Sequence, residues 1–226
     1  MCTGFVYRDA KDTYFGYNLD IDPSVWDFRI VKNSKYFGVA IRFQGKTVYT
    51  HGVNFLGRYA CLPYMNDDDP PKSLPRAKRI DRLVDDFLRL KIDQDALRSL
   101  LSSVPISPMP GTSFHALIGD THEEGYLVEP GLPPQTISSF QVVANFPLLK
   151  PVSDDKPYYG KERYGRLSRC LASLLGETSP LELLSFLKEV AQTGTWATRI
   201  SFVYSSSRQC VYYQIPGEEG IRTHHF

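Results

Sequence analysis

The order of strand-like and helix-like stretches restricts the fold of this chain more than any other feature. Runs rich in aromatic and β-branched residues, separated by polar turns, predict strands over residues 5–50, 114–144 and 200–215. Between these blocks, apolar residues recur with helical spacing. The order of strands, helices, strands, helices and strands favours an α+β fold in which helices cover sheets, rather than alternating βαβ units.

Two hairpins are predicted near the N-terminus. Residues 5–7 and 14–17 flank a polar turn at Asp9–Asp12, and residues 36–43 and 47–50 flank the sequence Gln44-Gly45-Lys46. Short, Gly-containing or polar connections of this length are typical of β-hairpins. The first hairpin would hold the residues directly behind the initiator methionine firmly in place.

Four helices are predicted from apolar periodicity and capping signals. Residues 80–88 carry an apolar stripe at helical spacing, and a second helix precedes Pro105. A third apolar face consists of Leu167, Leu171, Leu174 and Leu175. Ser179 and Glu182 form a capping box with proline between them, so a fourth helix should begin there. His224 and His225 are expected in a loose C-terminal tail.

Composition limits the classes of function. The 226 residues are expected to form one domain over residues 1–226, and a hydrophobic fraction of 42% suffices for a core. The net charge of +1 offers no electrostatic case for binding nucleic acid or an anionic membrane. Without a secretory signal or a long apolar run, the chain is expected to be cytoplasmic.

The spacing of the cysteines and histidines indicates neither a disulfide framework nor a metal site. Four widely spaced cysteines without a CxxC motif predict free thiols rather than a disulfide framework. Five histidines show no metal-binding spacing, so neither a metal nor another cofactor is expected. The expected partner is a small molecule, and the sequence leaves a homo-oligomer open.

Cys2 is the strongest candidate for a nucleophile. Its neighbours are small, which removal of Met1 requires, and such removal would give one residue both a thiol and a free α-amine. That amine has a pKa of about 7.7–8.0, so it can act as a base towards a thiol near pKa ~8.5. Amine-activated terminal nucleophiles are a known form of covalent catalysis. The simpler interpretation is an ordinary cysteine at position 2.

Several motifs together resemble the choloylglycine hydrolases, the family of conjugated bile acid hydrolases and penicillin V acylases. The motifs follow the family order along the whole chain: Met1–Gly4 with Tyr14–Asp20, Gly52–Ala60, Ala144–Pro147, Glu162–Arg166, and the closing hairpin Tyr204–Tyr213. The chain resembles a shortened member. The resemblance implies the N-terminal nucleophile hydrolase fold, a four-layer αββα sandwich with two antiparallel sheets. It also implies hydrolysis of a linear, non-peptide amide C–N bond through an acyl-enzyme.

The resemblance further implies roles for individual residues. Cys2 would attack the amide carbonyl with its own amine as base, and Asp20 would orient that amine. Asn54 and Asn145 would polarise the carbonyl together with the backbone N–H of Phe55. Arg163 would stabilise the thiolate or position the amine. The candidates for the substrate pocket are aromatic: Tyr17, Phe55 and Tyr59, and more widely Phe15, Trp26, Tyr64, Phe146 and Tyr158.

Each of these roles has a simpler alternative. Asp20 could be a turn or cap carboxylate, Asn145 could belong to a turn before Pro147, and Arg163 could be solvated in a first helical turn. Most of the aromatic residues could simply be core. Tyr17 stands where the family usually has arginine, which removes a positive charge near Cys2. A non-catalytic relative that binds a small molecule, or an acyltransferase, therefore remains an alternative to the hydrolase.

Overall fold

The computed structural model describes residues 2–43, 45–67, 72, 74–151 and 158–226. Within these ranges, strands are numbered β1 to β15 and helices α1 to α4 in chain order. The first sheet is antiparallel, and its spatial order is β12 (Phe140–Val143), β1 (Thr3–Arg8), β2 (Thr13–Asp20), β13 (Thr198–Ser205), β14 (Cys210–Gln214) and β15 (Arg222–His225). Strands from both ends of the chain therefore contribute to one layer.

The second sheet is also antiparallel. Its spatial order is β11 (Gln135–Ile137), β10 (Gly125–Val128), β9 (Ala116–Asp120), β6 (Arg58–Cys61), β5 (Lys46–Asn54), β4 (Tyr36–Phe43) and β3 (Phe28–Asn33). Two short strands, β7 (Lys78–Arg79) and β8 (Ile106–Ser107), form a separate parallel pair.

The two sheets pack face to face on a core of aromatic and aliphatic side chains. Phe15 of the first sheet lies against Tyr59 of the second, and Phe202 lies against Phe37, with ring centroids 5.1 and 5.5 Å apart. Each of these side chains is fully buried. Burial of a large aromatic side chain contributes on the order of 3 kcal/mol to the stability of the fold, so this layer is the main source of packing energy between the sheets.

Helices cover the outer face of each sheet. α1 (Ile80–Leu88) and α2 (Gln94–Ser103) share a buried cluster with the second sheet, and α3 (Lys161–Ala172) and α4 (Pro180–Glu189) share one with the first. The layers are thus helix, sheet, sheet and helix, and the predicted α+β sandwich with two antiparallel sheets is confirmed. None of the helices in the described ranges is long and apolar enough to cross a membrane.

Both predicted N-terminal hairpins are present. β1 and β2 pair around Asp9, whose carboxylate accepts hydrogen bonds from the backbone N–H groups of Lys11 and Asp12, both at 2.8 Å. β4 and β5 form the second hairpin, with Gln44 of its turn outside the described residues. β1 is fixed on both sides, by β2 and by β12, so the backbone leading from Cys2 is anchored.

The predicted helices are also present, with one correction. The Ser179 hydroxyl accepts a hydrogen bond from the backbone N–H of Glu182 at 3.1 Å, as its capping sequence predicted. α3 ends at Ala172, however, and Leu175 is 96% exposed instead of lying on its buried face. The helical spacing of Leu175 was misleading because the helix had already ended three residues earlier.

The prediction of a loose tail at His224 and His225 is wrong. Both residues belong to β15, which pairs with β14, and the His224 ring packs against Phe37 at 5.4 Å. β3, β6 and β11 were also not predicted. They are short or half-exposed strands with weak alternation, and pairing with neighbouring strands rather than local pattern determines them.

Candidate active site

Cys2 lies immediately before β1 and is 7% exposed. Its backbone N–H donates to the side-chain Oδ1 of Asn145 at 2.8 Å, and its thiol faces the backbone carbonyl of Asp20 at 3.8 Å. Burial raises the pKa of the Cys2 thiol above its ordinary value. At neutral pH the thiol therefore stays protonated unless a base stands beside it.

Asn145 follows β12 and connects Cys2 to two other elements. Its Oδ1 also accepts a hydrogen bond from Arg163 at 2.9 Å, and its Nδ2 donates to the backbone carbonyl of Tyr64 at 2.6 Å. Two donors on one side and a carbonyl on the other assign the amide orientation without ambiguity. Asn145 is fully buried, so this orientation is fixed by partners from distant parts of the chain.

Arg163 lies in the first turn of α3, where the helix dipole disfavours a positive charge. Its Nη1 pairs with Asp20 Oδ2 at 2.8 Å and also donates to the Thr3 hydroxyl. Gly160 caps the helix in the left-handed region with φ of 88°, and a Cβ there would stand 3.1 Å from both Arg163 and the backbone nitrogen of Asn145. Glycine thus lets the helix start against the Asn145 backbone.

Asp20 ends β2 and is the charged partner of this network. Besides Arg163, its carboxylate accepts hydrogen bonds from Thr198 at 2.6 Å and from Gln192 at 2.9 Å. Burial raises the pKa of the Asp20 carboxyl to about 6, and the partners that favour its charged form offset only part of this effect. Hydrogen bonds link Asp20 to the Cys2 nitrogen through Arg163 and Asn145.

Tyr17 lies on β2 behind Cys2, in the position where arginine was expected. Its ring stacks on His51 at 4.5 Å, and its hydroxyl is 3.4 Å from His51 Nε2. Tyr17 pairs with Gly4 of β1 and shares a buried cluster with Cys2, so its side chain lies beside the Cys2 thiol. Burial lowers the pKa of His51 to about 3, so its imidazole is neutral. The surroundings of the sulfur therefore include neutral hydrogen-bonding groups in place of a cation.

A cavity of about 660 Å³ opens onto Cys2. Its polar end carries Asp20, His51, Asn66 and Asn145. The rest of its wall is mostly apolar: Leu19, Ile21, Val25, Trp26, Ile41, Phe43, Leu62, Tyr64, Phe114, Tyr159 and Trp196. Two of the predicted pocket aromatics, Trp26 and Tyr64, lie in this wall. The volume and the apolar lining fit a small-molecule site.

Asn54 is not brought to this site, contrary to prediction. Its Nδ2 donates to the Leu88 carbonyl at 3.3 Å, and its Oδ1 accepts from the backbone N–H groups of Leu56 and Arg58. These bonds close the turn between β5 and β6. The backbone N–H of Phe55 donates to the Lys35 carbonyl at 3.1 Å and is likewise committed elsewhere. Asn54 and the Phe55 N–H, which were predicted to polarise the substrate carbonyl together with Asn145, are thus engaged in other bonds.

Tyr59 is also placed differently from the prediction. It is fully buried between the sheets, with its ring 5.1 Å from Phe15, and it is not among the residues of the cavity wall. Phe15 itself is core. Phe146 packs against Tyr164 of α3 at 5.3 Å. Their aromatic character reflects packing between layers rather than substrate contact.

Four residues at the site were not predicted: His51, Asn66, Gln192 and Thr198. Gln192 and Thr198 hold the Asp20 carboxylate, and Asn66 lies in the cavity wall with its backbone N–H on the Asn145 carbonyl at 2.9 Å. His51 carried a usable signal, since a histidine in the middle of an apolar strand needs a polar partner. In the described ranges, no group of metal-ligating side chains gathers at this or another place.

Three solved structures resemble this chain over most of their length. A mutant of conjugated bile acid hydrolase from Clostridium perfringens matches with a TM-score of 0.67 at 14% identity, covering 99% of this chain and 92% of that chain. Penicillin V acylase from Agrobacterium tumefaciens gives 0.58 at 15% identity, over 97% and 84%. The Caenorhabditis elegans ortholog of N-acylethanolamine-hydrolyzing acid amidase gives 0.61 at 14%, over 90% and 92%.

The chain has the N-terminal nucleophile hydrolase fold. No family model and no curated protein sequence matches it. Identities of 14–15% establish the shared fold alone, and the reactions of these proteins do not transfer with it. Within the N-terminal nucleophile hydrolase fold of this chain, Cys2 stands at the end of a central strand, beside the cavity.

Proposed function

We propose that this protein hydrolyses the C–N bond of a linear, non-peptide amide through a covalent acyl-enzyme on Cys2. The observation that carries the proposal is the chain of hydrogen bonds from the Cys2 nitrogen through Asn145 and Arg163 to Asp20, at the polar end of an apolar cavity. The fold that it shares with three amide hydrolases adds support.

The reaction requires that Met1, which lies outside the described residues, be removed. The freed α-amine of Cys2 would then be the base that the buried thiol needs. Asn145 Oδ1 already accepts from this nitrogen at 2.8 Å, so it would hold one amine hydrogen and orient the remaining lone pair. Arg163 and Asp20 would keep Asn145 in that orientation.

The proposed reaction has two steps, acylation of Cys2 and hydrolysis of the resulting thioester. The Cys2 proton passes to the amine while the sulfur bonds to the amide carbonyl carbon. The amine next returns that proton to the leaving nitrogen as the C–N bond breaks, which leaves a thioester on Cys2. Water, deprotonated by the same amine, hydrolyses the thioester and releases the acid.

The carbonyl oxygen needs donors, and the structure suggests others than Asn54 and Phe55. Asn145 Nδ2 uses one hydrogen on the Tyr64 carbonyl and has a second, and the side chain of Asn66 lies in the same cavity. We propose that these two amides polarise the substrate carbonyl. Each amide donates without adding a net charge next to the buried sulfur.

The cavity wall supports a substrate with an apolar acyl group. Its side chains carry little hydrogen-bonding capacity away from the Cys2 end, so an extended or fused-ring hydrocarbon would bury most of its surface there. Conjugated bile salts, penicillin V, N-acyl amino acids, N-acyl homoserine lactones and N-acylethanolamines are therefore the substrates to be assayed.

Mass spectrometry and turnover test the proposal together. The purified protein is expected to begin at Cys2, and incubation with a turned-over substrate should leave an acyl group on its N-terminal peptide. Cys2→Ala should abolish both turnover and the adduct. Cys61→Ala is the matched control, because Cys61 is another buried, free cysteine and should retain turnover when the variant is folded.

Three outcomes would replace the proposal. Equal turnover by wild type and Cys2→Ala would exclude Cys2 as the nucleophile. Ligand binding without adduct or product would identify a non-catalytic small-molecule binder. Formation of a new amide in the presence of added amines would identify an acyltransferase, which shares the first half of the reaction.

A further inference from the structure

Three groups lie behind the Cys2 sulfur: Tyr17 of β2, His51 of β5, and Leu62, which directly follows β6. The backbone N–H of Leu62 donates to His51 Nδ1 at 3.0 Å. His51 Nε2 is 3.4 Å from the Tyr17 hydroxyl, and Tyr17 lies beside Cys2 in the core between the sheets. Both Tyr17 and His51 are buried to 2% exposure or less. The order is thus Leu62, His51, Tyr17 and Cys2, which runs from the second sheet to the first.

The Leu62 bond decides the tautomer of His51. A nitrogen that accepts a backbone N–H carries no proton of its own, so Nδ1 is the bare nitrogen. The ring is neutral because burial holds the pKa of His51 far below neutrality. Its single proton must therefore sit on Nε2, the nitrogen that faces Tyr17. The opposite tautomer would set two N–H groups against each other across 3.0 Å.

The tautomer in turn orients the Tyr17 hydroxyl. With Nε2 protonated, His51 cannot accept the hydroxyl proton of Tyr17, so that proton is free to be donated to Cys2 Sγ. Burial raises the pKa of Tyr17 well above its ordinary value, so the phenol keeps that proton throughout the neutral range. Stacking at 4.5 Å with an interplanar angle of 18° keeps the two rings in register.

We propose that His51 is a positioning residue that acts through Tyr17, and that the two together replace the expected arginine as stabilisers of the Cys2 thiolate. This inference rests on the proposed role of Cys2 as nucleophile. When the thiol proton moves to the α-amine, the sulfur gains a full hydrogen bond from Tyr17, while Tyr17 and His51 keep their own protons. The net charge of the buried pocket is unchanged, because the thiolate and the ammonium form together.

The other ionisable groups around the sulfur act differently. The negative charge of Asp20 opposes formation of the thiolate, and Cys61 is a second buried thiol nearby. Arg163 is bound to Asp20 and Asn145. The hydroxyl of Tyr17 is therefore the side-chain donor that we assign to the thiolate.

The test is the pH dependence of Cys2 alkylation by iodoacetamide, followed on the N-terminal peptide by mass spectrometry. A hydrogen bond to a charged group is worth about 1.5–3 kcal/mol. Tyr17→Phe should therefore raise the midpoint of alkylation by about 1 to 2 pH units, which corresponds to a roughly 10- to 100-fold slower reaction below it. His51→Leu should also raise the midpoint of alkylation. His51→Gln offers both an acceptor and a donor, so its midpoint should lie between those of His51→Leu and the wild type.

Tyr14→Phe is the matched control. Tyr14 is on the same strand but on the opposite face, where its hydroxyl donates to the Thr178 carbonyl at 3.0 Å, so its removal should leave the midpoint unchanged. Unchanged midpoints in folded Tyr17→Phe and His51→Leu would overturn the proposal. Because alkylation reports the thiol and not turnover, this outcome is distinct from a failure of the proposed hydrolase activity.

A measurement on the wild-type protein keeps the test independent of how well the variants fold. Nitrogen-15 NMR of His51 should show a protonated Nε2 and a bare Nδ1 from pH 5 to pH 9. A bare Nε2 would accept the hydroxyl proton of Tyr17 and would contradict the proposed role of His51.

Discussion

Asn145 and Asn54 are both buried asparagines at the C-terminal end of a strand, yet they serve different regions of the molecule. Asn145 binds Cys2, Arg163 and the Tyr64 carbonyl, which are 143, 18 and 81 residues away in sequence. Asn54 Oδ1 binds backbone groups only 2 and 4 residues ahead. The first asparagine joins distant elements at the cavity, and the second closes a local turn.

The comparison shows that residue type, burial and motif context do not by themselves assign a role to a polar side chain. What separates the two asparagines is the commitment of their donors and acceptors. Asn54 is held by its own turn and by the Leu88 carbonyl, and it is not among the residues of the cavity wall, whereas Asn145 is held by remote partners at that wall. The difference can be tested in both regions with paired variants.

The largest effect is expected from the ion pair on the Asn145 side. Arg163→Leu leaves the Asp20 carboxylate buried without its cation, which costs about 3–5 kcal/mol of unfolding free energy at pH 7.5. Arg58→Leu, beside Asn54, removes a guanidinium 3.8 Å from Asp120 and should cost less. Denaturant titrations of both variants provide the measurement. A similar loss in both would erase the contrast between the regions.

The next effect concerns catalysis. Asn145→Ala removes an oxyanion donor and releases the Cys2 nitrogen, so kcat should fall by about 10²–10³-fold. Asn54→Ala should change kcat by less than about threefold, because its amide is bound to the Leu88 carbonyl. Steady-state kinetics on the best substrate, at a temperature where both variants are folded, decides between the two. A loss of kcat in Asn54→Ala as large as that in Asn145→Ala would show that Asn54 takes part in catalysis.

The third effect is on stability in the turn region. Asn54→Ala leaves the backbone N–H groups of Leu56 and Arg58 without their acceptor, so the unfolding free energy should fall by about 1–3 kcal/mol. Asn54→Asp is the matched control, since its carboxylate keeps an acceptor at the same place. If the aspartate variant is destabilised as much as the alanine variant, the turn bonds contribute little.

The smallest effect is a pH dependence at Asp20. Its pKa of about 6 in the folded protein lies above the value of about 3.9 for an unfolded chain, so the fold favours the protonated form. This contribution to stability is fully present below about pH 4 and is lost as pH rises through 6. Between pH 7 and pH 5, wild type should gain about 1 kcal/mol relative to Asp20→Asn.

Carbon-13 NMR of the Asp20 carboxyl reports its titration directly in the wild-type protein. A midpoint near pH 6 is expected, whereas a midpoint below pH 4 would mean that Arg163 and its neighbours stabilise the charge more than burial opposes it.

Local patterns were sufficient for the elements with strong periodicity. The apolar stripe of α1, the Ser179 cap of α4 and the hairpins at Asp9 and Gly45 follow from short-range chemistry, and each is present. Strands such as β6 and β15 carry little local signal, because their stability comes from hydrogen bonds to neighbours supplied by other parts of the chain.

The same division applies to the site. Cys2, Asp20, Asn145 and Arg163 could be selected from the sequence by motif and position, and the structure brings them together. Tyr17 could be seen as a departure from the expected arginine, but its partner His51 could not, because the two meet only when the sheets stack. Asn54 was selected by the same reasoning as Asn145, and its local turn was overlooked.

The sequence by itself determined the α+β layering, the four helices and a cysteine poised behind Met1, because periodicity and capping act over a few residues. Only the tertiary structure decided which asparagine faces the cavity and which tautomer His51 adopts. Those choices depend on hydrogen bonds between residues far apart in sequence, and such bonds exist only after both sheets have packed.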